Sequence, residues 1–276
     1  MTKIATIARD SINSPNMSEN DAAILKSVAR ELEAIGVEIV NCNEKPDAIC
    51  HMSRNRATLE WLAKAEKRGT RIFNRPAAVR MCSRSAFTHA LQRSGIQQPP
   101  FCIITEVGQL KSLNYPAWIK RGDGWSCDKD DVCYAANAGE AIEAALSMKE
   151  RGIKEIIHSA HIKGDIIKFY GVGENYVRYC YPDTGKSKFG LEKINGIPHG
   201  YLFDKERMNR EIIRAAKAVG LEIFGGDCIV TVKGEIYIID LNDFPSFSAI
   251  REEAAREIAT YITRTIKEET EYERRG

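Results

Sequence analysis

Three side chains toward the carboxyl end of the sequence, Asp227, Asp240 and Asn242, have types and spacing that could hold a metal ion. Asp227 lies in the run Gly225-Gly226-Asp227-Cys228-Ile229-Val230, and the other two lie in Ile238-Ile239-Asp240-Leu241-Asn242-Asp243-Phe244-Pro245. Both runs are rich in β-branched residues, and Val232-Lys233-Gly234-Glu235 between them is a glycine-bearing turn, so they predict an antiparallel hairpin. Strand side chains alternate, so Asp240 and Asn242, two apart, leave the sheet on one face, and a hairpin in register brings Asp227 beside them. Two carboxylates and an amide oxygen are hard donors. They are too few to cage calcium but suit Mg²⁺, or Mn²⁺ in its place, with the remaining oxygens drawn from water and phosphate. Read instead as strand-end polar residues, the carboxylates would stand unpaired among Ile and Leu, at a cost of about 2 to 7 kcal/mol or more.

This strand pair, with Phe244-Pro245 behind it, resembles the metal-binding strands of the ATP-grasp superfamily, in which two acidic residues and an asparagine hold magnesium against the phosphates of ATP. Most ligases of that superfamily carry Glu at the middle position. This chain has Asp240, and the string from Ile239 to Pro245 looks most like the inositol tris/tetrakisphosphate kinase branch. The resemblance runs from Asn74 to the terminus. It implies an α/β chain with the ATP-grasp fold: a small Rossmann-like amino-terminal lobe (1–76), a central lobe (77–158) and a carboxyl-terminal lobe with the metal site (159–276), the last two sandwiching ATP.

The same resemblance assigns further residues. Arg84 precedes the helix Ala86 to Ser94 and the segment Gly95-Ile96-Gln97-Gln98-Pro99, where the family has a phosphate-contacting lysine. A planar guanidinium there keeps the charge; the plainer reading is a surface arginine at a helix start. Lys120, ending Trp118-Ile119-Lys120, matches the second phosphate lysine, and the loop Arg121 to Ser126 matches the turn that folds over the triphosphate, with Ser126 as a contact. An ordinary hairpin loop would have a similar sequence. His158 and Ile162 bracket the hinge that takes adenine through backbone groups, its register left open across 157–162. Asp165 matches the ribose-binding acid. Lys168 matches a basic position facing the phosphates or the acceptor, and with Arg178, on the returning strand Tyr176 to Tyr181, it is assigned to catalysis. Arg9, Asp10 and Ser11 are candidate acceptor contacts.

The elements that must position these residues follow from periodicity. Short β-favouring runs at Lys3 to Arg9, Val37 to Val40, Ala48 to Met52 and Arg71 to Phe73 alternate with helical patterns. The first helix, with Ala22, Leu25, Val28, Ala29, Leu32 and Ile35 on one face, is expected to start at a capping box, Ser18-Glu19-Asn20-Asp21, and to stop at Gly36; the second spans Ala57 to Lys67. Such alternation predicts a small parallel sheet with covered faces. No G-x-G-x-x-G follows its first strand, so a dinucleotide site there is unsupported. Further helices are expected at Asn137 to Lys149, Lys205 to Val219 and Ile250 to Lys267, the last followed by a solvated charged tail. Pro182 to His199, with Lys186, Lys188, Lys193 and His199, reads as a substrate loop or lid, or as a plain solvated loop.

Composition bounds the rest. The 276 residues carry 40 Lys and Arg against 38 Asp and Glu, so charge supplies no argument for nucleic acid or a membrane as partner. No apolar run approaches a bilayer span, and Met1-Thr2-Lys3 leads into a strand rather than a signal sequence, so a cytoplasmic protein is expected. The 8 cysteines form no C-x-x-C pair and read as reduced structural thiols, and His158 with His161 lacks the further ligands of a zinc site. The function that the resemblance implies first is an ATP-dependent carboxylate-amine ligase working through an acyl phosphate on a small-molecule or peptide acceptor, with a homodimer as the family's common assembly. The alternative is a small-molecule kinase acting on a hydroxyl, and the third a non-catalytic nucleotide-binding protein. Ser246, where ligases carry Gly, and the lack of an Arg ahead of Gly225-Gly226-Asp227 depart from the ligase pattern.

Overall fold

The computed structural model describes residues 1–14, 17–181, 194 and 196–274. Three four-stranded sheets organise it. The first holds β1 (Lys3–Ile7), β2 (Glu38–Val40), β3 (Ala48–His51) and β4 (Arg71–Phe73), all parallel in the order β2-β1-β3-β4, as the alternating pattern requires. One face is covered by α2 (Arg56–Glu66), which buries Leu59, Leu62 and Ala65. On the other, α1 (Ser18–Ala34) and the final helix, α7 (Arg251–Glu273), close a core containing Ile4, Leu32, Phe73, Ala255 and Ile262. That core continues into Tyr170, Val172, Phe244 and Phe247, so the first lobe and the carboxyl-terminal sheet share one apolar interior.

Two local expectations differ. Ser18 is the first residue of α1 and not its cap, because Asp21, the expected partner, accepts from Ser14 Oγ at 2.7 Å and pairs with Arg9 at 3.1 Å. The last helix does not end near Lys267, although the described charged residues beyond it are exposed as expected. It runs to Glu273, and Glu269 on its extension pairs with Arg71 of β4 at 2.9 Å.

After α3 (Pro76–Arg80) and α4 (Arg84–Arg93), the central sheet, in the order β5-β8-β6-β7, contains β5 (Phe101–Ile104), β6 (Ala117–Arg121), β7 (Val132–Ala135) and β8 (Ile156–Ala160), all neighbours antiparallel. Its alternation sends Ile119, Ala135 and Ile156 into a core with α5 (Ala138–Glu150), while Trp118 and Lys120 take the opposite face. The third sheet, β10-β9-β11-β12, contains β9 (Asp165–Val172), β10 (Tyr176–Cys180), β11 (Ile223–Val230) and β12 (Ile236–Asp243). Ile167, Phe169, Cys228, Ile238 and Leu241 pack against α6 (Lys205–Val219), leaving the alternate residues on the other face. Among the described residues no helix is long and apolar enough to cross a membrane. Lys186, Lys188 and Lys193 of the expected substrate loop lie outside the described residues.

The β11–β12 hairpin is closely packed at its glycines. A Cβ on Gly226 would overlap the Asp240 carbonyl oxygen and lie 2.5 Å from Phe169 Cζ, so only glycine lets the two strands approach here. Gly226→Ala is therefore expected to cost about 1 to 3 kcal/mol by overpacking, measured by urea denaturation. An unchanged midpoint would mean that the hairpin has slack.

Candidate active site

The free faces of the central and carboxyl-terminal sheets line a cavity of about 610 Å³, into which the first lobe also projects Arg9 and Arg54. On the carboxyl-terminal sheet, pairing register builds a row across three strands: Lys168 of β9 opposite Asp227 of β11, and Asp227 opposite Asp240 of β12. A bulge makes this row. Asp227 pairs with Asp240 but Cys228 pairs with Ile238, so Ile239 is the extra residue that turns Asp240 toward the cavity. Asn242 stands opposite Gly225, two positions on from Asp240 and on the same wall. Asp240 Oδ1 accepts from the Leu241 N–H at 3.1 Å, and Asn242 Nδ2 donates a long bond of 3.4 Å to Oδ2. Among the described residues no three His, Cys, Asp or Glu side chains converge, so the candidate cation site is two carboxylates plus an amide.

Lys120 faces them from the central sheet. Burial and the neighbouring Arg84 push its ammonium down to about 8, and the attraction of Asp240 and Asp227 offsets only part of this. Arg84 opens α4, donates to the Arg121 carbonyl at 3.0 Å and to Ser126 Oγ at 3.1 Å, and keeps its buried Nε without a hydrogen-bond partner among the described residues. The loop over the cavity is thus tied to the helix start through one guanidinium.

The wall from the first lobe is an ionic frame. Arg9 Nε pairs with Asp21 at 3.1 Å, its Nη1 with Asp243 at 3.3 Å, and its Nη2 donates to the carbonyls of Asp243 and Phe244 at 3.0 and 2.7 Å. Arg54 donates Nε to Asp243 Oδ1 at 2.8 Å, with Nη2 in ion-pair contact with the same oxygen at 2.8 Å, and its guanidinium lies 4.9 Å over the Trp125 ring. Burial and the like charge of Arg54 lower the pKa of Arg9, against the opposing pull of Asp243 and Asp21.

Of the residues expected from sequence, the cavity brings together Asp227, Asp240, Asn242, Lys120, Arg84, Ser126, Lys168, Ile162 and Arg9. Others are elsewhere. Asp165, expected at a ribose, is buried with Oδ2 accepting from the N–H groups of His199, Gly200 and Tyr201 and from Tyr181 Oη, and Oδ1 from His199 Nδ1. Burial alone would raise its pKa; those donors overcome it and hold the carboxyl at about 2, committing it to anchoring the 199–201 segment. Arg178 is surface-exposed, paired with Glu253 at 2.9 Å and stacked on Tyr176. It stands opposite Tyr170, on the Lys168 face of the sheet but on the edge strand β10, and does not line the cavity. His158 does not line the cavity. It sits within β8, paired with Cys102 and Ile119, its Nε2 donating to the Asn114 carbonyl. The strand continues to Ala160, and Ser159, Ala160 and Ile162 line the cavity. Asp10 instead accepts from Ser53 Oγ and from the N–H groups of Arg54 and Asn55, and Ser11 is exposed.

Sequence reasoning missed Arg54, Asp243, Asp21 and Trp125. A signal for Arg54 existed: functional side chains gather beyond the carboxyl ends of parallel strands. Arg54 follows β3 just as Arg9 follows β1.

No protein-family model matches the sequence, and neither does any curated protein. Solved structures do. A D-alanine–D-alanine ligase from Bacillus anthracis superposes with a TM-score of 0.72 at 16% identity, over 98% of this chain and 100% of that one. The chain has the ATP-grasp fold. The same organism's ligase complexed with ATP gives a TM-score of 0.69 at 17% identity, over 98% of this chain and 100% of that one. A RimK domain ATP-grasp protein from Sphaerobacter thermophilus gives 0.66 at 16% identity, covering 94% and 99%. In the ATP-grasp fold of this chain, the cavity lies between the two sheets that the sequence assigned to the nucleotide-sandwiching lobes.

A lysine poised at about 8 makes anion binding pH-dependent. An anion held against Lys120 raises its pKa, so binding takes up protons, and ATP affinity is expected to fall between about pH 7 and pH 9 by up to about tenfold per unit. Calorimetry across that range checks this, with Lys120→Arg expected to flatten the profile. A flat wild-type profile would remove Lys120 from the anion site.

Proposed function

We propose that this chain is an ATP- and Mg²⁺-dependent ligase that joins a carboxylate to an amine through an acyl phosphate. The observation that carries the reading is one cavity lined by an all-oxygen donor set, by three cations, Lys120, Arg84 and Lys168, and by an electroneutral frame from the first lobe. Full-length likeness to D-alanine–D-alanine ligases adds support.

The frame also favours the ligase over the kinase. Arg9 and Arg54 are matched by Asp21 and Asp243, so the acceptor side offers no net positive charge to a polyphosphorylated polyol, despite Asp240 standing where most ligases carry Glu. A purely regulatory subunit would have no need of both carboxylates, which repel each other across the strands.

Asp227, Asp240 and Asn242 suit Mg²⁺ because hard oxygen donors two strands wide leave room for phosphate and water oxygens. Bound there, the ion would neutralise charge on the β and γ phosphates. Lys120 from the central sheet and Arg84 from the start of α4 hold non-bridging oxygens, and Lys168 stands in the same row as the carboxylates to meet the transferred group. An acceptor carboxylate oxygen attacks the γ phosphorus, the bond to the β-phosphate oxygen breaks, and ADP leaves. The amine then attacks the acyl carbon, the carbon–oxygen bond to phosphate breaks, and phosphate leaves while the nitrogen loses its proton.

With ATP, Mg²⁺, hydroxylamine and a panel of small carboxylates including amino acids, a hydroxamate should accumulate. Phosphorylated polyol formed without any amine would overturn the ligase reading. Asp240→Asn should lower turnover on the order of a hundredfold or more with an unchanged circular dichroism spectrum; surviving Mg²⁺-dependent activity would move the metal elsewhere.

A further inference from the structure

We propose that Arg54 grips the transferred phosphoryl group from the acceptor side, an assignment that rests on the ligase reading above. Two guanidinium groups enter the cavity from the first lobe, and they differ in what they have left to give. Arg9 spends Nε on Asp21, Nη1 on Asp243 and Nη2 on two backbone carbonyls, which makes it a strut between the lobes. Arg54 donates Nε to a single oxygen of Asp243, with Nη2 in ion-pair contact with the same oxygen, and among the described residues Nη1 has no hydrogen bond. Its side chain is only 9% exposed and lines the cavity, so the open edge of the fork belongs to that enclosed space.

The position of that edge is set by the same strand that carries Asp240 and Asn242. Asp243 is the last residue of β12, directly after Asn242, and is itself 1% exposed. Trp125, from the loop that also carries Ser126, stacks on the guanidinium face at 4.9 Å. Held at one edge and one face, Arg54 cannot swing, and a pre-aimed fork presents two parallel N–H donors to an oxyanion. Arg54, Cys82 and Asp240 line the same cavity.

The chemistry that needs such a donor is charge on the phosphoryl group facing away from the nucleotide. Lys120 approaches from the central sheet and Arg84 from the start of α4, and residues 221–226 ahead of Asp227 contain no arginine. With Arg9 consumed, Arg54 is the first-lobe cation with donors to spare. An acceptor carboxylate could use the same fork, and the experiment separates the two.

The full chain is titrated by calorimetry with MgADP, alone and with aluminium fluoride as a mimic of the phosphoryl group in flight. Aluminium fluoride should tighten MgADP binding by wild type on the order of tenfold or more. Arg54→Met should bind MgADP within about twofold of wild type yet lose the tightening, and Arg54→Lys, which keeps the pair with Asp243 but not the fork, should recover only part of it. Undiminished tightening in either variant overturns the assignment and leaves the acceptor carboxylate as the fork's partner, and so does absence of tightening in wild type. Failure of MgADP to bind wild type at all would instead overturn the ligase reading, and this assignment with it.

Discussion

Two carboxylates stand face to face on neighbouring strands inside a closed-in cavity, and the rest of the molecule is arranged around that repulsion. Asp227 and Asp240 are direct cross-strand partners. Side chains in that relation are about 5 Å apart, and two negative charges at such a separation cost about 3 kcal/mol at the effective dielectric of a protein surface. The register places Lys168 on the other flank of Asp227, and Lys120 faces both acids from the opposite sheet. Nothing in packing alone requires this. The bulge at Ile239 brings Asp240 into line with the other acid, and the side-chain-free Gly226 beside it lets the two strands close over Phe169.

The first lobe is bound to that row through the end of β12. Asp243 receives both Arg9 and Arg54, and Arg9 also caps the carbonyl of Phe244, whose φ of +36° is rare for a residue with a side chain. Phe247 follows at φ +48°, and both rings are fully buried in the core shared by the two lobes. Such backbone costs on the order of 1 to 3 kcal/mol per residue and persists where surrounding structure over-determines it. Here the determinants are two buried aromatic rings and a five-donor guanidinium. The turn leaving β12 is therefore stiff, and the acids and the first-lobe wall keep a constant relation.

Much of this was legible in the sequence because it is encoded locally. Alternation of apolar residues marked the β11–β12 hairpin and placed Asp240 and Asn242 on one face, and Gly36 and Gly220 stopped their helices in left-handed turns. What could not be read has a common cause: the deciding partner was distant in the chain. Asp165 is consumed by donors more than thirty residues downstream, around His199. Arg178 stays outside the cavity because β10 is the edge strand of its sheet, where Glu253 of the last helix pairs with it. Ser18 lost its cap role to an ion pair between Asp21 and Arg9, and the last helix outran its expected end because Arg71 receives Glu269. Arg54 became part of the site only when Asp243 and Trp125 arrived from two other lobes.

The most direct test of the central claim is electron paramagnetic resonance of Mn²⁺ titrated into the chain with ADP, in wild type and in the double variant Asp227→Asn with Asp240→Asn. The account predicts that wild type takes up Mn²⁺ in a nucleotide-dependent way and that the double variant, with unchanged circular dichroism, does not. Equal uptake by both proteins would mean that these two acids are not the seat of the metal, and would contradict the account.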